Sequence, residues 1–449
     1  MKKWLKRLVW AAVLLALFCV ALLAGHVTLD YRGREALKAA GSRLQELQDH
    51  ATALPGNRPS VSDRPIEGNA ADHYLKILKV LRLDLGAFGS ATEAIKDFFN
   101  GEELDGPDLE LEVASQEALV KTLRSGVAST RCDWELRLRS YRTCGLGGAT
   151  LAKVGYTYEP WNYGLYDLVP TLAAAGEMER RRGRPSEALQ VIVESMGLCI
   201  DMARGSESFN ARCVPLRLER LNGLLASFSR ELNPESAEWE RVDAALVRLH
   251  HGSEEFLKSW QLDLLLAMHG DVYLPTYPHL VMVDRDEPES SWYWAAVAHK
   301  ARALGSPHAS AAKLYSLSED LWKTLDSLHV AYDPETLRKA EEAVRASRAQ
   351  DVYYRGTADS VRDAVVGAFR LEAALRMTRM TWALARHRSR HGAWPKSLDE
   401  VVLPPGWEDP FTGKQFDYVG GSRPVLSCAG HASDQTHLPY RPLEWTLPE

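Results

Sequence analysis

A mainly α-helical body behind one apolar N-terminal helix, ending in a small β-hairpin, is the fold class the sequence predicts. Three observations predict it: an uncharged apolar run from Leu8 to Gly25, apolar residues at helical spacing through most of the following chain, and Phe416 and Tyr418 alternating with polar residues in the tail. The 449 residues divide accordingly into a basic tip (1–7), an apolar anchor (8–25), a juxtamembrane helix and linker (26–69), a helical body (70–391) and a turn-and-hairpin tail (392–449).

The anchor follows from charge and length. Lys2, Lys3, Lys6 and Arg7 precede the apolar run. A stretch of about 18 apolar residues crosses a bilayer as one helix with little tilt, and flanking positive charge stays on the cytoplasmic side. The expectation is a single-pass protein of the inner (cytoplasmic) membrane with the bulk of the chain extracytoplasmic. A cleaved secretory signal needs small residues at the third and first positions before the cut. Cuts after Ala24 or Gly25 would place Leu22 or Leu23 at that third position. Cys19 follows Phe18 inside the run, not the small residue that a lipoprotein signal requires, and reads as a membrane cysteine.

Helical spacing then accounts for the body in order. Helices are expected at 29–53, 70–85 and 112–124, with the Pro-, Gly- and Ser-rich stretch 54–69 as a linker. Leu165, Leu168, Val169, Leu172 and Gly176 share a face; after the break at Gly183, Arg184, Pro185 the pattern resumes with Leu189, Ile192, Val193, Met196, Cys199 and Ala203. This is an antiparallel helix pair. Leu218, Leu221, Leu224, Leu225 and Phe228 form a third stripe, and Asn233 and Pro234 separate it from Trp239, Val242, Ala245, Leu246 and Leu249. Further helices are expected at 254–268, 309–328, 334–349 and 359–391, with a proline-containing surface loop over 271–291. Such stripes bury against one another, giving an irregular multi-helix bundle or short α-solenoid. The turn from Gly183 to Leu189 resembles that of a tetratricopeptide repeat, although no second copy follows in the 34-residue register of that family.

Charge and cysteines restrict the classes of function. Removing the four basic residues of the tip from 54 leaves 50 against 60 acidic side chains, so the exported part is acidic, by about −10, and does not suit nucleic acid. Beyond the anchor, Cys132 with Cys144 and Cys199 with Cys213 form two local pairs. In an oxidising compartment each pair can close a short loop worth about 3 kcal/mol, and the alternative is inert thiols. No cysteine pair has redox or zinc spacing.

The tail is the most patterned local sequence. Gly392 and Pro395 end the last long helix, Ser397 and Glu400 form a capping box for a short helix, and 409–413 reads as a turn before the alternating Phe416 and Tyr418. Together with Gly392, Pro395, Phe416 and Tyr418, the residues His391, Trp394, Leu398, Asp409, Pro410, Phe411 and Gly413 resemble the C-terminal element of the major pseudopilins of type II secretion. That resemblance covers residues 382–418 and implies a shared structural ending and a role as a secretion-apparatus accessory protein. The chain departs from the family at its start, where residues 1–20 lack the glutamate of the prepilin-peptidase motif.

Chemistry-bearing patterns are sparse. His387 and His391 share a helix face, but position 388 is Arg where a zinc protease has Glu, and Arg386 and Arg390 add positive charge. No nucleophile elbow or phosphate-binding loop occurs, so no catalytic residue, metal or cofactor is assigned. Two aromatic-dense stretches, with Tyr158, Trp161 and Tyr163 in one and Trp292 and Trp294 in the other, offer a surface for glycans or a protein partner, or else pack loops onto helices. The function the sequence favours is a scaffold or partner-binding component of the bacterial cell envelope. The alternatives are an envelope hydrolase acting on cell-wall material and the secretion accessory role.

Overall fold

The computed structural model describes residues 9–10, 13–25, 27–28, 31–32, 35, 59–83, 93–101, 106–132, 168–205, 208–251, 332–348, 355–403, 406–430 and 442–448. The chain is mainly α-helical. Residues 13–25 are helical, with Leu14, Leu17, Val20 and Leu23 exposed. Among the described residues no helix is long and apolar enough to cross a membrane, so the spanning helix expected over 8–25 is not among the elements seen. The helices expected over 254–268 and 309–328, and nearly all of 29–53, lie outside the described residues.

The body starts earlier than the linker reading placed it. Ser60 and Val61 are buried, and β1 (Ile66–Asn69) pairs in parallel with β2 (Ser129–Arg131). Helix α1 (Ala70–Leu83) follows β1 directly, then α2 (Glu93–Asn100) and α3 (Gly106–Ser115). The helix expected at 112–124 breaks at Gln116, whose ψ of 15° departs from helical geometry, and α4 (Glu117–Ala128) begins after it. Ser115 Oγ donates to the Glu112 carbonyl at 2.7 Å, a local bond that serves the end of α3.

At the centre stand α5 (Leu168–Arg181) and α6 (Pro185–Gly205). Gly183, at φ +73°, reverses the chain between them, and Pro185 opens α6 where its missing N–H costs nothing. The sequence suggests one apolar stripe on each. Instead, α5 is buried continuously from Leu168 to Met178, and α6 from Ala188 to Ala203. A helix buried on all sides must satisfy its polar groups internally. On α6, Ser195 Oγ donates to the Val191 carbonyl at 2.8 Å, and Asp201 Oδ2 accepts the Tyr74 hydroxyl at 2.7 Å.

Around this pair the other helices form a shell. Helix α7 (Ser208–Phe228) packs on α6 and on the 37-residue α10 (Arg355–His391). Helix α8 (Glu238–His251) touches both α6 and α10, while α9 (Pro334–Arg348) lies on α10. Polar bonds fix these contacts. Asn222 Nδ2 donates to Thr378 Oγ1 at 2.9 Å between α7 and α10, and Trp382 Nε1 donates to the Trp239 carbonyl at 3.0 Å between α10 and α8. The Trp239 and Trp382 rings lie 4.4 Å apart.

The tail differs from its expectation in two details. Ser397 makes no side-chain cap; residues Leu398–Glu400 form one 3-10 turn, and Glu400 accepts the N–H of Lys396, one residue before the serine, at 3.0 Å. The hairpin of β3 (Asp417–Val419) and β4 (Val425–Ser427) gains a third antiparallel strand, β5 (Glu444–Thr446), with Leu426 opposite Trp445. Buried Asp409 joins the preceding turn to this sheet, accepting the N–H of Phe411 at 2.9 Å and of Ala429 at 2.7 Å.

Two expectations test this packing. A Cβ added at Gly126 of α4 would lie 2.5 Å from Tyr74 Cε1, displacing the ring that holds Asp201. Gly126→Ala is therefore expected to lower the stability of the body by about 1–3 kcal/mol, read as a fall in melting temperature. The second concerns Glu372 of α10, which takes His250 Nε2 of α8 at 2.7 Å and Arg376 Nε at 2.7 Å, while Arg376 Nη1 donates to the Glu408 carbonyl of the tail at 2.6 Å. Burial alone would raise the Glu372 carboxyl, but His250 and Arg376 outweigh it and hold it below its ordinary value near 4.5. A lowered folded value means that this carboxylate stabilises the fold above its ordinary range and loses that contribution as pH falls through the folded value. Glu372→Gln should therefore lower the melting temperature at neutral and alkaline pH and flatten the acid side of the profile, wild type and variant converging as pH falls through the folded value.

Candidate functional site

The polar groups of α4, α6 and α8 converge on residues 60–64, a short irregular strap that enters the body between Pro59 and Pro65. Arg248 Nε of α8 donates to the Ser60 carbonyl at 2.8 Å, and Gln190 Nε2 of α6 donates to the Val61 carbonyl at 3.2 Å. Ser60 Oγ donates to the Val127 carbonyl of α4 at 3.2 Å. Asp63 pairs with Arg241 at 3.1 Å and lies 3.9 Å from Arg248. Val61 fills the slot between these groups. Its fit depends on Gly197 of α6, where an added Cβ would lie 2.7 Å from Val61 Cγ2 and 3.0 Å from Val127 Cγ1.

Beyond the strap the slot opens into a groove of about 580 Å³ between α3, α4 and α5. Val113, Val120, Met178 and Ile66 give it apolar walls, and Glu194 of α6 forms part of its lining. The Glu194 side chain is only 2% exposed and is held by Arg124, whose Nε lies 2.6 Å from Oε2. Gln190 Nε2 reaches Glu194 Oε1 at 3.2 Å as well as the strap, and so links slot to groove. Burial pushes the Glu194 carboxyl above its ordinary value, against the pull of Arg124. Arg124 also bonds Glu187 at 2.8 Å. On the rim, Arg64 and Lys121 form no ion pair among the described residues. Glu117, also on the rim, forms no ion pair among the described residues, so an apolar trough edged by Arg64, Glu117 and Lys121 lies beside the committed Arg124–Glu194 pair.

A second hollow, about 710 Å³, lies at the end of α10 beside Trp394, Lys396 and Gly420. Arg388 sits 4.9 Å above the Trp394 ring and donates to the Pro448 carbonyl at 3.2 Å, which ties the tail to the helix end. His387 and His391 stack with ring centroids 4.3 Å apart; burial first, then the neighbouring His391, lowers the His387 value. No group of three or more His, Cys, Asp or Glu suited to a metal occurs among the described residues.

The sequence singled out other residues. Tyr158, Trp161, Tyr163, Trp292 and Trp294 lie outside the described residues, as do Cys144 and the side chain of Cys213. Cys132 is buried with Sγ 4.0 Å from the Asp201 carbonyl. Cys199 is a buried free thiol, pushed up to about 12 by burial, and Cys428, also buried, is pushed up to about 11. The strap and the groove were not anticipated. Their signal was the bracketing of Val61 by two prolines within a stretch that composition alone assigns to a linker.

No family model matches this chain, and no curated protein and no solved structure matches it.

Removal of Arg124 is the sharper test of the groove. Arg124→Ala leaves Glu194 buried without its cation, and the expected cost is about 3–5 kcal/mol in a denaturant titration, whereas Lys121→Ala on the rim should change stability by about 0.5 kcal/mol or less. For the thiols, Cys199 and Cys428 should resist iodoacetamide at pH 8 in the folded protein, because only thiolate reacts and both are buried. Both should label once the protein is denatured without reductant, as peptide mapping would show.

Proposed function

We propose that this chain is a membrane-tethered scaffold or partner-binding protein of the bacterial cell envelope, with its helical body on the extracytoplasmic side. The observation that carries this reading is the distribution of exposed apolar surface. Along the N-terminal segment, large apolar side chains from Val13 (42%) to Leu23 (69%) are exposed in succession, whereas elsewhere among the described residues they are scattered singly, as at Leu111, Leu216 and Val402. Contiguous exposed apolar surface marks a site that contacts something other than water, and a helical apolar run behind Lys2, Lys3, Lys6 and Arg7 fits a bilayer. Support for binding comes from the groove, where the buried carboxylate is committed to Arg124 and Gln190 while Arg64, Glu117 and Lys121, in no ion pair among the described residues, stand on an open rim.

The test is fractionation of cells producing the full chain with a reporter after Glu449. The protein should remain in the membrane pellet through an alkaline carbonate wash, dissolve only in detergent, and carry reporter activity that depends on export. Release by carbonate, or reporter activity in the cytoplasm, would refute the tether. A photo-crosslinking residue at Lys121 should give a discrete adduct in intact cells, and the same residue at exposed Val402 should not.

A further inference from the structure

The contacts to the strap are those of a receptor for a short peptide. Gln190, Arg241 and Arg248 come from helices far along the chain, and what they bind is backbone carbonyls and one carboxylate. Carbonyls carry no sequence information; the selectivity lies in Val61, seated where Gly197 has no side chain, and in Asp63 two residues later, facing two arginines. The strap organises itself as well: Ser60 Oγ accepts the Ser62 N–H at 3.2 Å and Ser62 Oγ accepts the Arg64 N–H at 3.3 Å. Pro59 and Pro65 fix φ at the two ends of the strap, and Pro65 disfavours the helical region for Arg64, which reduces the entropy lost on docking.

We propose that the slot across α4, α6 and α8 is a peptide-docking site that the chain fills with its own residues 60–64. The strap is a detachable latch, displaced by a partner segment of the same chemistry: a β-branched apolar residue followed two positions later by an acid. Covalent attachment gives the strap a high effective concentration at the slot, so a partner competes only when its own local concentration is high, as on a shared membrane. Displacement would also free Gln190, which holds both the Val61 carbonyl and Glu194, and so alter the floor of the adjoining groove. The identity of the displacing segment rests on the partner-binding reading; the latch itself does not depend on the tether, so fractionation and peptide binding can fail separately.

The test uses the full chain in detergent micelles and a fluorescein-labelled peptide of residues 57–67, read by anisotropy. The peptide should bind the Val61→Glu variant, whose own latch is undocked, at least tenfold more tightly than it binds wild type. The same peptide carrying Asp63→Ala should bind that variant at least tenfold more weakly. Equal binding to wild type and variant, or binding to neither, would overturn the proposal. Because Val61→Glu can also impair folding, hydrogen exchange on wild type gives a second reading. The Ser62 and Arg64 amides should exchange at least a hundredfold faster than those of Ile192 and Val193 in α6, through an opening that leaves α6 protected. Exchange of the strap only at the rate of α6 would show that it opens only with global unfolding and would equally overturn the latch.

Discussion

Gly197 lets the chain entering the body lie directly against α6. The Val61 methyls occupy the space a side chain at 197 would fill, and Val127 of α4 closes the same spot from the other side. Three segments distant in sequence thus meet at a point where none carries excess volume. Interiors are packed at crystal-like density, so a single added carbon there must displace one of them. Gly126, the residue before Val127 in α4, does the same for the Tyr74 ring, giving it room to reach Asp201.

Polar pairing on α6 follows from this enclosure. A helix surrounded by α4, α5, α7 and α8 has no solvent face on which to place Gln190, Glu194, Ser195 or Asp201, yet it carries all four. Each reaches a fixed acceptor or donor, and together these bonds fix where Arg124, Tyr74 and the strap sit. A buried ion pair is weak evidence of net stability, since desolvation offsets much of its Coulomb energy. Its consequence here is geometric: it holds Glu194 on Arg124 and Gln190 and leaves the rim of the groove to Arg64, Glu117 and Lys121.

Much of the helical scaffold was legible because apolar spacing and helix ends are local signals. The α5–α6 hairpin follows from the periodicity around Gly183 and Pro185, and α10 from the long stripe ending at Gly392. What was not legible depended on partners distant in sequence. That α6 is buried on all sides is set by α4, α7 and α8, and no count of its own residues reveals it. The third tail strand was written as the alternation of Leu443, Trp445 and Leu447 with exposed Glu444 and Thr446, a pattern too short to stand out without β4 beside it. The strap read as linker because Pro, Ser and Asp compose both linkers and docked peptides. Groups distant in sequence, Gln190, Arg241 and Arg248 among them, separate the two.

A double-mutant cycle between positions 61 and 197 tests the close approach most directly. In the wild-type background Gly197→Ala should cost about 1–3 kcal/mol in chemical denaturation. With Val61→Ala already present, the methyl that the new Cβ meets is gone, and the cost of Gly197→Ala should fall by about 1 kcal/mol or more, a coupling typical of residues in contact. Additive costs within about 0.3 kcal/mol would contradict the account, because they would mean that Val61 and Gly197 do not share that space in the folded protein.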